Sequence, residues 1–261
     1  ANSRLFDAYQ SLANILQNST NVEPLMLEFV AGEHWLRISA DKLQRKIATF
    51  RTTGGTVTSN VATTAWANLN GSPEVTGTSA SLAAGVYDVW VPSEDAATLE
   101  LGVDGAGIKS LAPIVSPALT SLDCDGNGLQ TLNVTGLVSL ENLNCGNNDI
   151  LALDVSALAS LTYLNCSINK ISVLDVSALS LLTQLVCYAN NISALDVSGL
   201  TSLTHFNCSG NSISVLDVSM LTQLTQLTCS VNTISTLNVA PLTSLNKLVC
   251  TDNSISVLDV S

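Results

Sequence analysis

The second half of the chain places apolar and polar residues in a frame that repeats every 21 residues. The frame is L-x-x-L-x-C-x-x-N-x-I-x-x-L-D-V-S-x-L-x-x, and seven copies cover residues 119–261. In each copy, the alternation of leucine and cysteine predicts a short strand with one buried face. A second apolar pair, such as Leu174 and Val176, predicts another short strand on the opposite side of the coil. One unit cannot bury its apolar face alone, so the pattern predicts stacked coils: a mainly β solenoid of parallel strands with little helix.

Two residue types occupy one position in every copy. A cysteine recurs at a single inward position, where a free thiol serves as a small buried hydrophobe. An asparagine follows three residues later, and its amide has donors and an acceptor for the backbone groups of a tight turn. We predict that both rows are structural: Cys124, Cys145, Cys166, Cys187, Cys208, Cys229 and Cys250, with Asn127, Asn148, Asn169, Asn190, Asn211, Asn232 and Asn253.

The cysteine row does not have the spacing of a metal site. No C-x-x-C pair and no interleaved histidine accompany the seven cysteines, as a zinc site requires. Their odd number and the lack of another pairing partner favour reduced thiols over disulfides. The sequence therefore predicts no metal site and no cofactor.

An acidic row leaves two interpretations open. Asparagine or aspartate follows the third leucine of the frame in every copy: Asn133, Asp154, Asp175, Asp196, Asp217, Asn238 and Asp259. Stacked coils would bring these side chains to about 5 Å from one another. The first interpretation is a turn in which the side chain accepts a backbone N–H. The second is a row of carboxylates that binds a cation.

The most regular stretch is "LTYLNCSINKI" at 161–171. It resembles the leucine-rich repeat signature, in the short 21-residue bacterial form, and the resemblance covers 119–261. It reaches back to "LELGVDGAGIKSL" at 99–111, where Val103 takes the cysteine position. The resemblance implies a solenoid over 99–261, with a degenerate repeat at 99–118. It also implies a small β-rich capping domain ahead of the repeats, which we place at 53–98.

The first half of the chain has no repeat. "SRLFDAYQSLANILQN" at 3–18 predicts an amphipathic helix, and "LMLEFVAGEHWLRIS" at 25–39 predicts a hairpin. Residues 39–50 suggest a short helix or turn, and "GVYDVWVP" at 85–92 suggests a strand. Residues 1–52 thus form an expected α+β segment. This segment resembles the start of phage virion fibre and adaptor proteins, which implies attachment to other virion or surface proteins through 1–52.

Charge excludes several classes of partner. The net charge is −12, and residues 52–261 carry 3 basic and 16 acidic residues. Such a surface disfavours nucleic acid and anionic membranes. No apolar run has the length of a membrane span. No catalytic motif is present, and the only histidines are His34 and His205. We therefore expect a protein without enzymatic activity.

The positions beside the strand leucines vary while the frame stays fixed. They predict an exposed recognition face for a host receptor or a glycan, with these candidate binding residues: Tyr163, Asn165, Gln184, Tyr188, His205, Asn207, Gln226 and Lys247. The sequence ends in mid-coil at "ISVLDVS". Because no polar coil caps the end, we expect a neighbouring subunit, such as a second copy of the chain, or another partner to cover it.

Together these features predict a structural and recognition protein. The primary hypothesis is a bacteriophage virion component, in a head or tail fibre or as a decoration protein. It would attach through its N-terminus and present the solenoid for adhesion to host surfaces or glycans. The alternative is a bacterial cell-surface or secreted adhesin that binds host proteins.

Overall fold

A computed structural model describes residues 119–260 in full and, before them, only strand backbones. Those strands are β1 Met26–Glu28, β2 Trp35–Ser39, β3 Lys42–Ser59, β4 Ala65–Asn68, β5 Val75–Thr76, β6 Ser79–Pro92, β7 Leu99–Gly102 and β8 Ile108–Leu111. The helix expected at 3–18 lies outside the described residues.

The early strands test three of the local predictions. β1 and β2 pair antiparallel, with Leu27 opposite Leu36, which confirms the hairpin at 25–39. β6 contains residues 85–92 and confirms the strand there. The short helix or turn expected at 39–50 is wrong for residues 42–50, which belong to the strand β3, Lys42–Ser59, while residues 40 and 41 lie outside the described residues. β3 pairs with both β2 and β6, and such long-range pairing overrides local preference. The domain limits 1–52 and 53–98 stay predictions.

The repeats form a parallel β-solenoid, as predicted from the frame. One strand per coil lines its sheet: β9 Leu119–Asp123, β10 Asn142–Asn144, β11 Tyr163–Asn165, β12 Gln184–Val186, β13 His205–Asn207, β14 Gln226–Thr228 and β16 Lys247–Val249. Neighbours pair 21 residues apart, as Leu143 does with Leu164. β7 joins the same sheet, with Leu101 opposite Leu122. Residues 119–260 contain no helix.

The inward positions form one continuous apolar core. Leucine, isoleucine and valine side chains from every coil are buried in it. The cysteines from Cys124 to Cys229 have 0% of their surface exposed, and Cys250 in the last coil is partly exposed. Burial raises the pKa of the Cys166 thiol to about 12. The core cysteines are therefore neutral thiols that fill space between the leucines.

The six inward asparagines from Asn148 to Asn253 each join two coils through the side-chain amide. Asn169 Nδ2 donates to Cys145 O at 3.0 Å and to Cys166 O at 3.1 Å. Its Oδ1 accepts the backbone N–H of Ile150 at 2.9 Å. The same three bonds recur at Asn148, Asn190, Asn211, Asn232 and Asn253. Buried backbone groups at the turn are thus satisfied in coil after coil.

The side opposite the strands differs from the prediction of a second strand in every coil. In the described residues, only β15 Thr236–Asn238 and β17 Val257–Asp259 pair there. Successive reverse turns follow this position both in coils without a second strand, as in the bonds from Leu158 N to Val155 O and from Leu161 N to Leu158 O, and in the coil of β15, as in the bond from Leu242 N to Val239 O.

The acidic row forms side-chain turns. Asp154 Oδ1 accepts the Oγ–H of Ser156 at 2.6 Å and its backbone N–H at 3.0 Å. Hydrogen bonds from the serine two residues later lower the carboxyl pKa at Asp154, Asp175, Asp196 and Asp217. Asn133 and Asn238 make the same turn with an amide oxygen. Residues 119–260 hold no group of three or more His, Cys, Asp or Glu side chains arranged for a metal ion.

The last coil is less buried than the others. Leu248 and Ile255 pack on the core but are only partly covered, and Leu258 is 44% exposed. β16 is the edge strand of the long sheet and β17 is one edge of the short one. That a neighbouring subunit covers this coil stays a prediction.

Replacing Cys187 with serine should lower the free energy of unfolding. The added hydroxyl would lie in a site lined by apolar groups, and an unsatisfied buried hydroxyl costs about 1–3 kcal/mol. Urea denaturation measures the change, and Cys187→Ala is the matched control because it adds no polar group.

In the native protein, a thiol reagent should modify Cys250 before the other six cysteines. Equal, rapid labelling of all seven would contradict the buried row.

The acidic row should make stability depend on pH in a defined window. Because the folded-state pKa values are lowered, the carboxylates stabilise the fold above about pH 4, their unfolded pKa. This stabilisation is lost as the pH falls through the folded pKa values. The variant D154N/D175N/D196N/D217N should keep the turns, as Asn133 and Asn238 do, and lose less stability between about pH 5 and pH 3. Parallel pH dependence in the two proteins would show that the turns are not the cause.

Candidate functional site

The outward side of the long sheet, here called the strand face, brings the candidate binding residues together. One row runs across five adjacent coils in register: Tyr163, Gln184, His205, Gln226 and Lys247. A second row contains Asn165, Val186 and Asn207. Tyr188 lies just past the end of β12, where its C=O accepts the N–H of Ile168 at 2.8 Å. Neighbours within a row lie about 4.8 Å apart, the spacing of paired strands.

Hydrogen bonds between coils engage the polar side chains at the N-terminal part of the strand face. Asn144 Nδ2 donates to Asp123 Oδ2 at 3.2 Å, and Asn165 Nδ2 donates to Asn144 Oδ1 at 2.9 Å. Asn165 Oδ1 also accepts the Oγ–H of Ser167 at 2.6 Å. These amides therefore hold one another in place, and much of their bonding capacity is used within the protein.

The fourth coil interrupts this polar row. Val186 stands where asparagine stands in the coils on both sides, and Tyr188 occupies a position that holds serine in those coils. Gln184 and Gln226, in the first row, make no side-chain hydrogen bond within residues 119–260. The middle of the strand face thus combines an aromatic ring and a valine with amide side chains that have bonding capacity left.

The two ends of the strand face differ in charge. Burial raises the pKa of Tyr163, and the carboxylates of Asp123 and Asp125 raise it further, which places negative charge near the phenol. A Cβ on Gly146 would lie 2.6 Å from Asp125 Oδ1, so a larger residue there would require that carboxylate to shift. Lys247 is exposed at the other end. A bound partner would therefore experience an electrostatic gradient along the face.

His205 does not form a catalytic pair with a thiol. Its Nδ1 lies 2.9 Å from the Oγ of its neighbour Thr204. Within residues 119–260, all cysteines except Cys250 are buried in the core, on the other side of the sheet from His205. The imidazole is thus positioned for a contact on the strand face rather than for nucleophilic catalysis.

The sequence analysis missed a row of residues with a left-handed backbone conformation. The residue two positions after each cysteine has a positive φ: Gly126, Asn147, Ile168, Ala189, Gly210, Val231 and Asp252. Glycine, asparagine and aspartate tolerate this conformation, and their presence in four of the seven coils was a readable signal. Ile168 at φ 51° and Val231 at φ 54° are β-branched and do not tolerate it well. Both are exposed, at 44% and 54% of their surface, beside the strand face.

A threonine row was also missed. Thr183 Oγ1 donates to Thr162 O at 2.9 Å, and Thr204 Oγ1 donates to Thr183 O at 3.0 Å. Thr162 and Thr225 make the equivalent bond. Threonine at one position in four consecutive coils was the available signal. These hydrogen bonds join neighbouring coils just before each strand begins, so the row has a structural role.

Solved structures of bacterial repeat proteins resemble the chain. An internalin from Listeria monocytogenes is 25% identical over 66% of this chain and 57% of its own, with a TM-score of 0.56. A leucine-rich-repeat protein from Leptospira interrogans is 25% identical over 55% of this chain and 43% of its own, with a TM-score of 0.50. The chain is a bacterial-type leucine-rich-repeat protein with 21-residue repeats.

Other comparisons add less. The functional domain of InlJ from Listeria monocytogenes, described as including a cysteine ladder, is 28% identical over 65% of this leucine-rich-repeat chain and 55% of its own, with a TM-score of 0.36. No family model matches, and no curated protein matches. The chain spans about half the length of the solved structures it matches. Among the described residues, no helix has the length and apolar character needed to span a membrane.

The Ile168→Asn substitution should stabilise this leucine-rich-repeat protein. Asparagine tolerates the left-handed conformation, which costs a β-branched residue about 1–2 kcal/mol. We therefore expect a rise of about 1 kcal/mol in the free energy of unfolding by urea denaturation. The reciprocal control is Asn147→Ile at the same position of the preceding coil, which should lower it by a similar amount. No change in either variant would mean that the turn relaxes without cost.

Proposed function

We propose that the protein is a non-enzymatic recognition module that binds a protein partner through the strand face. The observation that carries this proposal is the change of chemistry in the fourth coil. There Val186 and Tyr188 replace polar or small residues beside the hydrogen-bonded amides of the preceding coils. The fold does not need this change, because the neighbouring coils are built without it.

The composition of this centre suits a protein interface. Tyrosine supplies contact area and a polar end with little loss of conformational freedom, and it is enriched among residues that dominate binding energy. Tyr163, Tyr188 and His205 lie in three successive coils, so one partner can contact all three. Gln184 and Gln226 offer hydrogen bonds around them. A glycan ligand would use the same amides and is the second candidate.

The bacterial surface is the context that the comparisons favour. The matched internalin and the Leptospira protein share the repeat architecture at 25% identity, which supports a role in adhesion or protein interaction. The chain would then be a cell-surface or secreted adhesin. The virion hypothesis rests on the sequence resemblance of the first 50 residues alone. In that case, residues 1–52 would attach the protein to the particle and the solenoid would face outward.

Cell-binding measurements test the role of the strand face. Purified full-length protein, fluorescently labelled, is titrated onto intact bacterial and animal cells. The variant Y163A/Y188A should bind at least about 30-fold more weakly to the cells that bind the parent, since each central aromatic residue contributes about 1–2 kcal/mol or more to such contacts. Loss of binding after protease treatment of the cells would identify a protein receptor, whereas loss after glycosidase treatment would identify a glycan.

The matched control removes exposed apolar area from another part of the outward surface without touching the strand face. Met220 is 56% exposed at a turn on the other side of the coil, and Met220→Ala removes a comparable apolar side chain. It should bind like the parent. Equal binding by Y163A/Y188A and the parent would contradict recognition through this face.

A further inference from the structure

The side opposite the strand face carries a row of exposed apolar side chains. The position seven residues after each cysteine holds Thr131, Ala152, Val173, Ala194, Val215, Thr236 and Val257. The three valines, here called the valine row, are 75%, 75% and 58% exposed. They stand in every second coil, with alanine or threonine between them. Contiguous exposed apolar surface of this kind marks contact sites.

A row of ionised carboxylates runs beside the valine row. Asp175 and Asp217 follow Val173 and Val215 by two residues, and Asp154 and Asp196 continue the line in the alternate coils. Hydrogen bonds from the serines lower their pKa, so they are charged at neutral pH. Asp175 and Asp217 both act on the titration of Asp196, which shows that neighbours in the row experience one another.

No cation within residues 119–260 neutralises this row. Residues 119–260 contain two lysines and no arginine. Lys170 pairs with Asp149 at 2.7 Å, and Lys247 is on the strand face. The carboxylates of the row therefore present a line of uncompensated negative charge beside the valines.

The fold requires neither feature. The position of the valines accepts alanine and threonine in other coils. Asn133 and Asn238 make the same turn as the aspartates, with Oδ1 accepting a backbone N–H at 3.1 Å and 3.0 Å. Asparagine would also avoid repulsion between like charges in adjacent coils. Both rows thus go beyond what the stacking of the coils demands.

Charge decides which occupant fits. A second copy of the chain would bring two rows of carboxylates against each other, which like-charge repulsion opposes. An anionic lipid surface is opposed for the same reason. A partner that carries lysine or arginine beside apolar side chains would satisfy both rows at once.

The spacing of the valines suits a helix. Adjacent coils are hydrogen-bonded just ahead of the valines, from Lys170 N to Ile150 O and from Ser212 N to Ile192 O, both at 2.9 Å. At the spacing of hydrogen-bonded extended chains, alternate coils there lie about 10 Å apart. An α-helix advances about 10.5 Å in seven residues, so apolar side chains at i, i+7 and i+14 would meet the three valines in turn. We propose that the valine row and its aspartates form a docking surface for a basic amphipathic helix of a partner protein, lying along the solenoid axis. This surface is separate from the strand face and does not depend on the function proposed for it.

Two synthetic peptides test the proposal with the full chain. The first is a 21-residue helix with leucine at i, i+7 and i+14 and lysine at the flanking positions. The second has glutamate in place of every lysine. Fluorescence anisotropy at low and moderate salt should show binding of the lysine peptide alone, weakening as salt rises. Equal binding of both peptides, or of neither, would overturn the proposal.

Variants of the chain separate docking from general attraction to an acidic protein. D175N/D196N/D217N should weaken binding of the lysine peptide by at least about tenfold, and V173S/V215S by about fivefold. The control E141Q/D149N/D252N changes the net charge by the same amount outside the row, at two exposed positions and at the partly exposed Asp149. It should change binding by less than about twofold. An equal effect of both charge variants would mean a non-specific attraction and would overturn the docking surface. Circular dichroism and urea denaturation confirm that each variant is folded.

Discussion

The fold depends on one side chain that bonds to two coils at once. The asparagine amide accepts an N–H from the preceding coil and donates to the cysteine carbonyls of both coils. These backbone groups lie at a tight turn, away from water, where an unsatisfied group is costly. The asparagine therefore fixes both the shape of the turn and the distance to the next coil. The cysteine beside it must be small and apolar, because its carbonyl faces that amide and its thiol faces the core.

Because the inward residues hold the coils together, the outward positions can differ from coil to coil. The leucines, cysteines and asparagines hold the stack together, so the two outer sides carry separate chemistry. On one side, amides and two tyrosines line a hydrogen-bonded sheet. On the other, valines stand beside carboxylates on turns that close within each coil. A change on either side alters little of the interior, and the two surfaces can be tested independently.

The sequence predicts the interior well because each inward position of the repeat keeps the same residue type from coil to coil. Cysteine, asparagine and leucine recur at fixed places, and the structure puts them in the core. It predicts the turns less well. Ile168 and Val231 occupy a left-handed position that their side chains disfavour, so their identity conceals the conformation that Gly126 and Gly210 reveal. The alternation around Val176 predicts a strand, yet within residues 119–260 only β15 and β17 pair on that side. Residues 42–50 belong to a strand because of its pairing with β6, which is distant in sequence and which no local pattern contains.

The strand face, too, is only partly predictable from the sequence. Register alone places Tyr163, Gln184 and His205 side by side, and the sequence is enough to infer this. The sequence does not show that Asn144 and Asn165 bond to each other across coils and so are partly occupied. These bonds make the fourth coil distinct, because Val186 has no amide and the row of hydrogen-bonded amides stops there. The variable residues of the strand face thus fall into two groups. Some are amides that hydrogen-bond to one another, and a smaller central group has side chains that can still contact a partner.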